Sequence, residues 1–281
     1  MLEVLDSISI PGNPEKPNDD AFAHGQSAAV VLDGATGLGD QLMPGKSDAA
    51  WLASFGARRL MAHLSDGDAA KDALRATLED AQKSYVALRR RPPKENYELP
   101  HASMMLACAN AKGVEALWFG DCAMIVKRPD ATLEVLGDAL EKRRLEAGRV
   151  AKLAQKHGLS PAAGVNRPEY LAALRKARNY ANTEKGHWAF APEPHAADHV
   201  ETAQVAAPKG TILLLCSDGF LALASDYGRY DAETLIGAAR TKGLKTLCEE
   251  LRAIERDDPE GRKFPRFKTS DDATALLLRV V

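Results

Sequence analysis

The sequence predicts an α+β protein with largely antiparallel sheets and two long helices packed on them, and three observations carry that prediction. Short runs rich in Val, Ile, Leu and Ala recur between Gly, Pro, Asn and Asp, the composition of buried strands. Helical periodicity is confined to three blocks and one basic, Ala-rich stretch. The order is strand, helices, strands, insertion, strand, helix, strand, which is not the βαβ alternation of a doubly wound parallel sheet.

The strand-like runs cover 2–10, 27–34, 102–110, 114–128, 131–136, 211–219 and 273–281. "NAKG" at 110–113 is a turn that makes 102–110 and 114–128 a hairpin, with Gly120-Asp121 in the middle of its second strand. The first helix spans 47–64, opening on a Ser47-Asp48 cap and carrying Trp51, Leu52, Phe55, Leu60 and Leu64 at helical spacing. The second, 66–91, places Leu74, Leu78, Ala81, Tyr85 and Leu88 on one face and is stopped by Pro92-Pro93. Residues 231–256 read as two helices hinged near Gly243, and 138–185 as an inserted helical pair outside the core. No repeat or linker divides the chain, so one domain over 1–281 is expected.

A formal net charge of −2 gives no reason to expect a nucleic-acid or membrane surface. Cys108, Cys122, Cys216 and Cys248 form no CxxC pair, which removes zinc-ribbon and thioredoxin-like chemistry. Neither a leader-like N-terminus nor an apolar run near the roughly 20 residues of a membrane helix is present, and a cytoplasmic protein is expected. His195 and His199 lie in a proline-containing loop without an HExxH pattern, and Ser217 lacks the G-x-S-x-G setting of a serine nucleophile.

Acids recur at strand ends. Asp33-Gly34 closes "VVLDG", Asp218-Gly219 closes "ILLLCSDG", Asp271-Asp272 opens the last strand, and Asp19-Asp20 precedes "AFAH". Each alone reads as a turn or a cap. Brought together, they would repel and be costly to desolvate, so something positive must offset them. Oxygen ligands without His or Cys suit Mg²⁺ or Mn²⁺. Two such ions about 3.5–4 Å apart are common apparatus for hydrolysing phosphate esters with a metal-activated water. A glycine at 34 would let its own carbonyl reach a metal.

In order, "NDDAF" (18–22), "VVLDGATG" (30–37), "ASMMLACANAKGVEALWFGDCAMIV" (102–126), "GTILLLCSDGF" (210–220) and "SDDATALLLRV" (270–280) resemble the motifs of the metal-dependent protein Ser/Thr phosphatases of the PP2C (PPM) type. The resemblance implies a central antiparallel β-sandwich flanked by helices, with a binuclear Mn²⁺ or Mg²⁺ site at one end and 138–185 in the place of the variable flap. It makes Asp33 the bridging ligand, with the Gly34 carbonyl, Asp20, Asp218 and Asp271 completing the site. Asp33 and Asp218 then serve catalysis through metal-bound water. Asp19 and Asp121 fall in the outer shell or at a third ion.

Three departures stand out. Glu15 stands where the family usually carries a phosphate-binding Arg, leaving Lys16 as a point charge without the guanidinium fork. Ala35 replaces a His found in some members, and Asp272 replaces the common Asn. The reaction expected is hydrolysis of phosphoserine and phosphothreonine in a phosphorylated protein substrate. The alternatives are a pseudophosphatase acting as a binding module, or a phosphatase of small phosphorylated metabolites.

Overall fold

The computed structural model describes residues 1–281 except 138, 141–147, 149, 153, 154, 156, 157, 159, 161 and 163–166. Its described strands are β1 (Leu2–Ile10), β2 (Asp20–His24), β3 (Ala28–Gly34), β4 (Ala102–Asn110), β5 (Gly113–Phe119), β6 (Ala123–Lys127), β7 (Leu133–Leu136), β8 (Glu201–Val205), β9 (Ile212–Cys216) and β10 (Ala273–Val280). They form two antiparallel sheets, ordered β1-β10-β9-β6-β7 and β2-β3-β4-β5-β8. The described α-helices are α1 (Asp48–Ser65), α2 (Ala70–Leu88), α3 (Pro168–Arg178), α4 (Asp218–Ser225), α5 (Ala232–Lys242) and α6 (Leu244–Asp257).

Why the strands read as unbroken apolar runs is now visible. Period two sends alternate residues to opposite faces, and both faces are covered. On β3, Ala29 and Val31 enter the layer between the sheets, where they meet Met105, Leu215 and Leu276. Val30 and Leu32 face the other way, onto Leu52 and Leu60 of α1 and Leu74 and Leu78 of α2. On β9, Leu213 and Leu215 point between the sheets, while Leu214 packs with Phe220, Leu235 and Leu247 of the other helical layer. The result is helix, sheet, sheet, helix, the sandwich expected.

Local signals match the elements they predicted. Ser47 caps α1, its hydroxyl accepting from the Ala50 N–H, and Gly243 turns between α5 and α6 at φ +83°. Residues 114–128 differ from the expectation of one hairpin strand. Gly120 adopts φ +72°, the left-handed region that suits glycine, and breaks the run. The chain crosses there from β5 in one sheet to β6 in the other. The run 211–219 is also shorter as a strand: Asp218 already opens α4, whose eight residues are all buried. Strand β8 carries too little apolar character, "ETAQV", to stand out in the sequence. Of the insertion 138–185, α3 and the residues that follow it are described, while much of the first predicted helix and residues 163–166 lie outside the described residues.

Candidate metal centre

Asp33 continues the row of Ala29 and Val31, so its side chain belongs to the face between the sheets, at the end where the apolar filling stops. Two cross-strand partners share that face. Asp20 lies directly opposite Asp33 on β2, and Ser103 lies opposite on β4. Asp121 comes from the crossing turn after β5, its carboxylate accepting a 2.5 Å hydrogen bond from Ser103 Oγ. Asp218 arrives from the other sheet, at the start of α4, where the helix N-terminus favours a negative charge. Carboxylate oxygens of Asp33, Asp121 and Asp218 lie within 4.8 Å of one another.

The electrostatics are dominated by burial and by mutual repulsion of the acids. Burial, then the charges of Asp20, Asp218, Asp121 and Asp271, push Asp33 well above the ordinary carboxylate range. Burial likewise raises Asp20, whose neighbours Ser217 and Thr274 pull it down and whose neighbours Asp272 and Asp271 push it up. Neither of those hydroxyls meets hydrogen-bond geometry, and both Asp20 carboxylate oxygens are buried without a partner. Asp271 carries its own cation: Lys268 Nζ donates to Oδ1 at 2.6 Å. Burial works against the charge on Lys268, but Asp271, Asp33 and Asp218 push its pKa up. Lys268 is the ammonium that pairs with an acid of this cluster, and the donor set, all oxygen, fits hard divalent cations.

The remaining predicted residues fall around this cluster. Gly34 is required by close approach, because a Cβ there would stand 2.5 Å from the Asp19 carbonyl oxygen. Asp19 accepts a 2.5 Å hydrogen bond from Ser47 Oγ; burial raises its pKa and that bond lowers it. Asp19 and Lys16 line a wide cleft of 1020 Å³, whereas Asp33, Asp121 and Asp218 line an adjoining cavity of 450 Å³; Lys268 and Asp271 belong to both. Asp272 acts on the backbone: its two oxygens accept from Gly12 N at 2.7 Å and Asp19 N at 2.6 Å, tying the segment before β2 to the start of β10.

Sequence reasoning missed Lys268, Arg178 and His187, which all reach the 450 Å³ cavity. Lys268 had a faint signal, a cation three residues before Asp271. Arg178 and His187 had none, since they lie more than 140 residues beyond Asp33 and reach the cavity only by folding.

Residues 13–157 match the family model described as Protein phosphatase 2C. No curated protein matches the sequence. Among solved structures, the PPM Ser-Thr phosphatase MsPP from Mycobacterium smegmatis, in complex with cacodylate, is 16% identical at a TM-score of 0.58, covering 99% of this chain and 100% of that one. The Mycobacterium tuberculosis serine/threonine phosphatase PstP/Ppp gives the same identity and TM-score over 99% of this chain and 98% of its own. The catalytic domain of PstP in complex with two manganese ions is 17% identical at a TM-score of 0.56, over 100% of this chain and 98% of that one. These likenesses are of fold.

Proposed function

The chain belongs to the protein phosphatase 2C family, and on that premise we propose that it is a metal-dependent phosphomonoesterase releasing phosphate from phosphoserine and phosphothreonine in proteins. The observation that carries the reading is the meeting of Asp33, Asp121 and Asp218 within 4.8 Å, beside a buried, unpartnered Asp20. Asp33 as shared ligand, with Asp20, Asp218, Asp271 and the Gly34 carbonyl, would hold two Mn²⁺ or Mg²⁺ ions. Asp121 would serve a third, and Asp19 would act from the outer edge. The two manganese ions in a structure of the same fold support that choice of metal. Such ions supply positive charge for the phosphoryl oxygens and a nucleophilic water at neutral pH.

The chain's own residues set the rest. Ser103 fixes the Asp121 carboxylate. The Lys268 ammonium limits the repulsion around Asp271. The domain acting in this way spans residues 1–281, including the 138–185 insertion.

The test is release of phosphate from phosphopeptides and p-nitrophenyl phosphate with Mn²⁺. Activity is expected to vanish with chelator and in Asp33→Asn and Asp218→Asn. Protein that binds Mn²⁺ by calorimetry yet hydrolyses no phosphopeptide would overturn the reading, and a preference for sugar phosphates would replace its substrate.

A further inference from the structure

The acid cluster shares its cavity with a cation that has no acidic partner among the described residues. Arg178, the last residue of α3, lines the same 450 Å³ cavity as Asp33, Asp121 and Asp218. Its Nη1 donates to the carbonyl of Thr36 at 2.6 Å, on the segment just after Gly34. A guanidinium has five N–H donors, and among the described residues Thr36 takes the only bond found for this one. No carboxylate pairs with it among those residues. Burial pulls its pKa down to about 10 without any acidic charge pushing back.

The neighbourhood adds imidazoles, while the acids Asp226 and Glu255 lie elsewhere in the same lining with no bond to Arg178 among the described residues. His187 lines the cavity too. His101 is buried with neither ring nitrogen partnered. Burial first, then the charges of Arg178 and His187, hold its imidazole down at about 3.

Arg175, one turn earlier on α3, shows what a purely structural arginine looks like here. It donates to the Leu38 carbonyl at 2.7 Å and lies over the Tyr97 ring at 4.9 Å, so packing and bonding account for it. Among the described residues no ring lies under Arg178, and its side chain lines the cavity. Buried charge is tolerated when it is paired. The lining of this cavity holds carboxylates that call for cations and a guanidinium that calls for an anion. A phosphate monoester between them satisfies both, because guanidinium forks match phosphate oxygens in pairs.

We propose that Arg178 is the residue that grips the substrate phosphate, delivered from α3 on the flap side and filling the role vacant at Glu15. The assignment rests on the phosphatase reading for its substrate but makes a claim about binding that stands apart from turnover. It also makes the flap side of the chain part of the phosphate site.

The probe is inorganic phosphate titrated calorimetrically into the Mg²⁺-loaded protein, with Mg²⁺ uptake and thermal melting measured in parallel. Losing charge-assisted bonds to a dianion predicts that Arg178→Ala weakens phosphate binding about 10- to 100-fold. Cation stoichiometry should be unchanged. With phosphopeptide, KM should rise by a similar factor and kcat should change less. Arg178→Lys should recover part of the affinity, and added guanidinium ion should restore Arg178→Ala. Arg175→Ala should lower the melting temperature with little change in phosphate affinity and no response to guanidinium.

Active wild type together with an Arg178→Ala protein of unchanged phosphate affinity overturns this inference alone. So does a wild type that binds no inorganic phosphate. Equal loss of affinity in Arg175→Ala, with no rescue by guanidinium in either variant, reduces Arg178 to a tie on the 36–38 segment and also overturns it. Phosphate binding through Arg178 in a protein that hydrolyses no phosphopeptide overturns the phosphatase reading and leaves this one standing.

Discussion

Replacing Asp33 by Asn should abolish activity and, in the metal-free protein, raise stability. Asp33 sits opposite Asp20 and within 4.8 Å of Asp121 and Asp218. Two unit charges at that separation repel by about 3.5 kcal/mol at an effective dielectric of 20. Proton uptake caps the cost, because a carboxyl can take up a proton at pH 7 for about 4 kcal/mol from its ordinary value. The isosteric Asn removes the charge and keeps the shape, so a gain of about 2–4 kcal/mol is expected. For a chain of this size that is about 4–8 °C in melting temperature.

The sign with pH follows from the raised value. A carboxyl whose folded pKa lies above its unfolded one stabilises fully below the unfolded value and loses that contribution as pH rises through the folded value. The chelated wild type should therefore lose stability as pH climbs above about 4, and Asp33→Asn should lose less. The assay is thermal melting in chelator and in Mn²⁺ across that range. Mn²⁺ should raise the wild type strongly and the variant little. An Asp33→Asn protein that melts at or below the wild type in chelator would refute the claim that these charges oppose folding.

Three further outcomes are expected. Gly219→Ala would place a Cβ 2.0 Å from the Asp272 carbonyl oxygen; the clash, about 1–3 kcal/mol, should exceed the helix-propensity gain of about 1 kcal/mol, so the urea midpoint should fall and Mn²⁺ should bind more weakly. Asp272→Asn leaves a single acceptor for the N–H groups of Gly12 and Asp19; the loss, about 1–3 kcal/mol, is offset in part by relief of Asp19 and Asp20, and amide exchange at Gly12 and Asp19 should quicken while the rest of the fold holds. His101, held at about 3 by burial and by Arg178 and His187, binds a proton more readily unfolded than folded. Its contribution is intact above about 6.5 and is lost as pH falls towards 3, about 2 kcal/mol by pH 5, so His101→Leu should flatten the acid limb of the metal-loaded stability profile; an unchanged limb would count against a neutral, buried imidazole.

Much of the fold was legible because its signals are local. The apolar runs of β3 and β9, the Ser47 cap, the Pro92-Pro93 stop and the Gly243 hinge each act within a few residues. The acids Asp33, Asp121 and Asp218 were legible too, since a carboxylate where an apolar strand should continue is conspicuous without any knowledge of its neighbours. The split of 114–128 was harder. Gly120 signals a break, but a break does not say which sheet the chain joins next, and that depends on β9 offering an edge to β6.

The sequence by itself determined which apolar runs form the core, which strands end in acids, and the kind of cation that could reconcile them, because hydrophobicity and ionisation belong to single residues and their immediate neighbours. Tertiary structure alone decided the pairings. Register set Asp20 against Asp33. The loop geometry turned Asp272 toward two backbone N–H groups. The packing of α3 carried Arg178 across more than 140 residues of chain to the cavity of Asp33. Such contacts come from the close packing of distant segments around a common core, and no stretch of neighbouring residues encodes them.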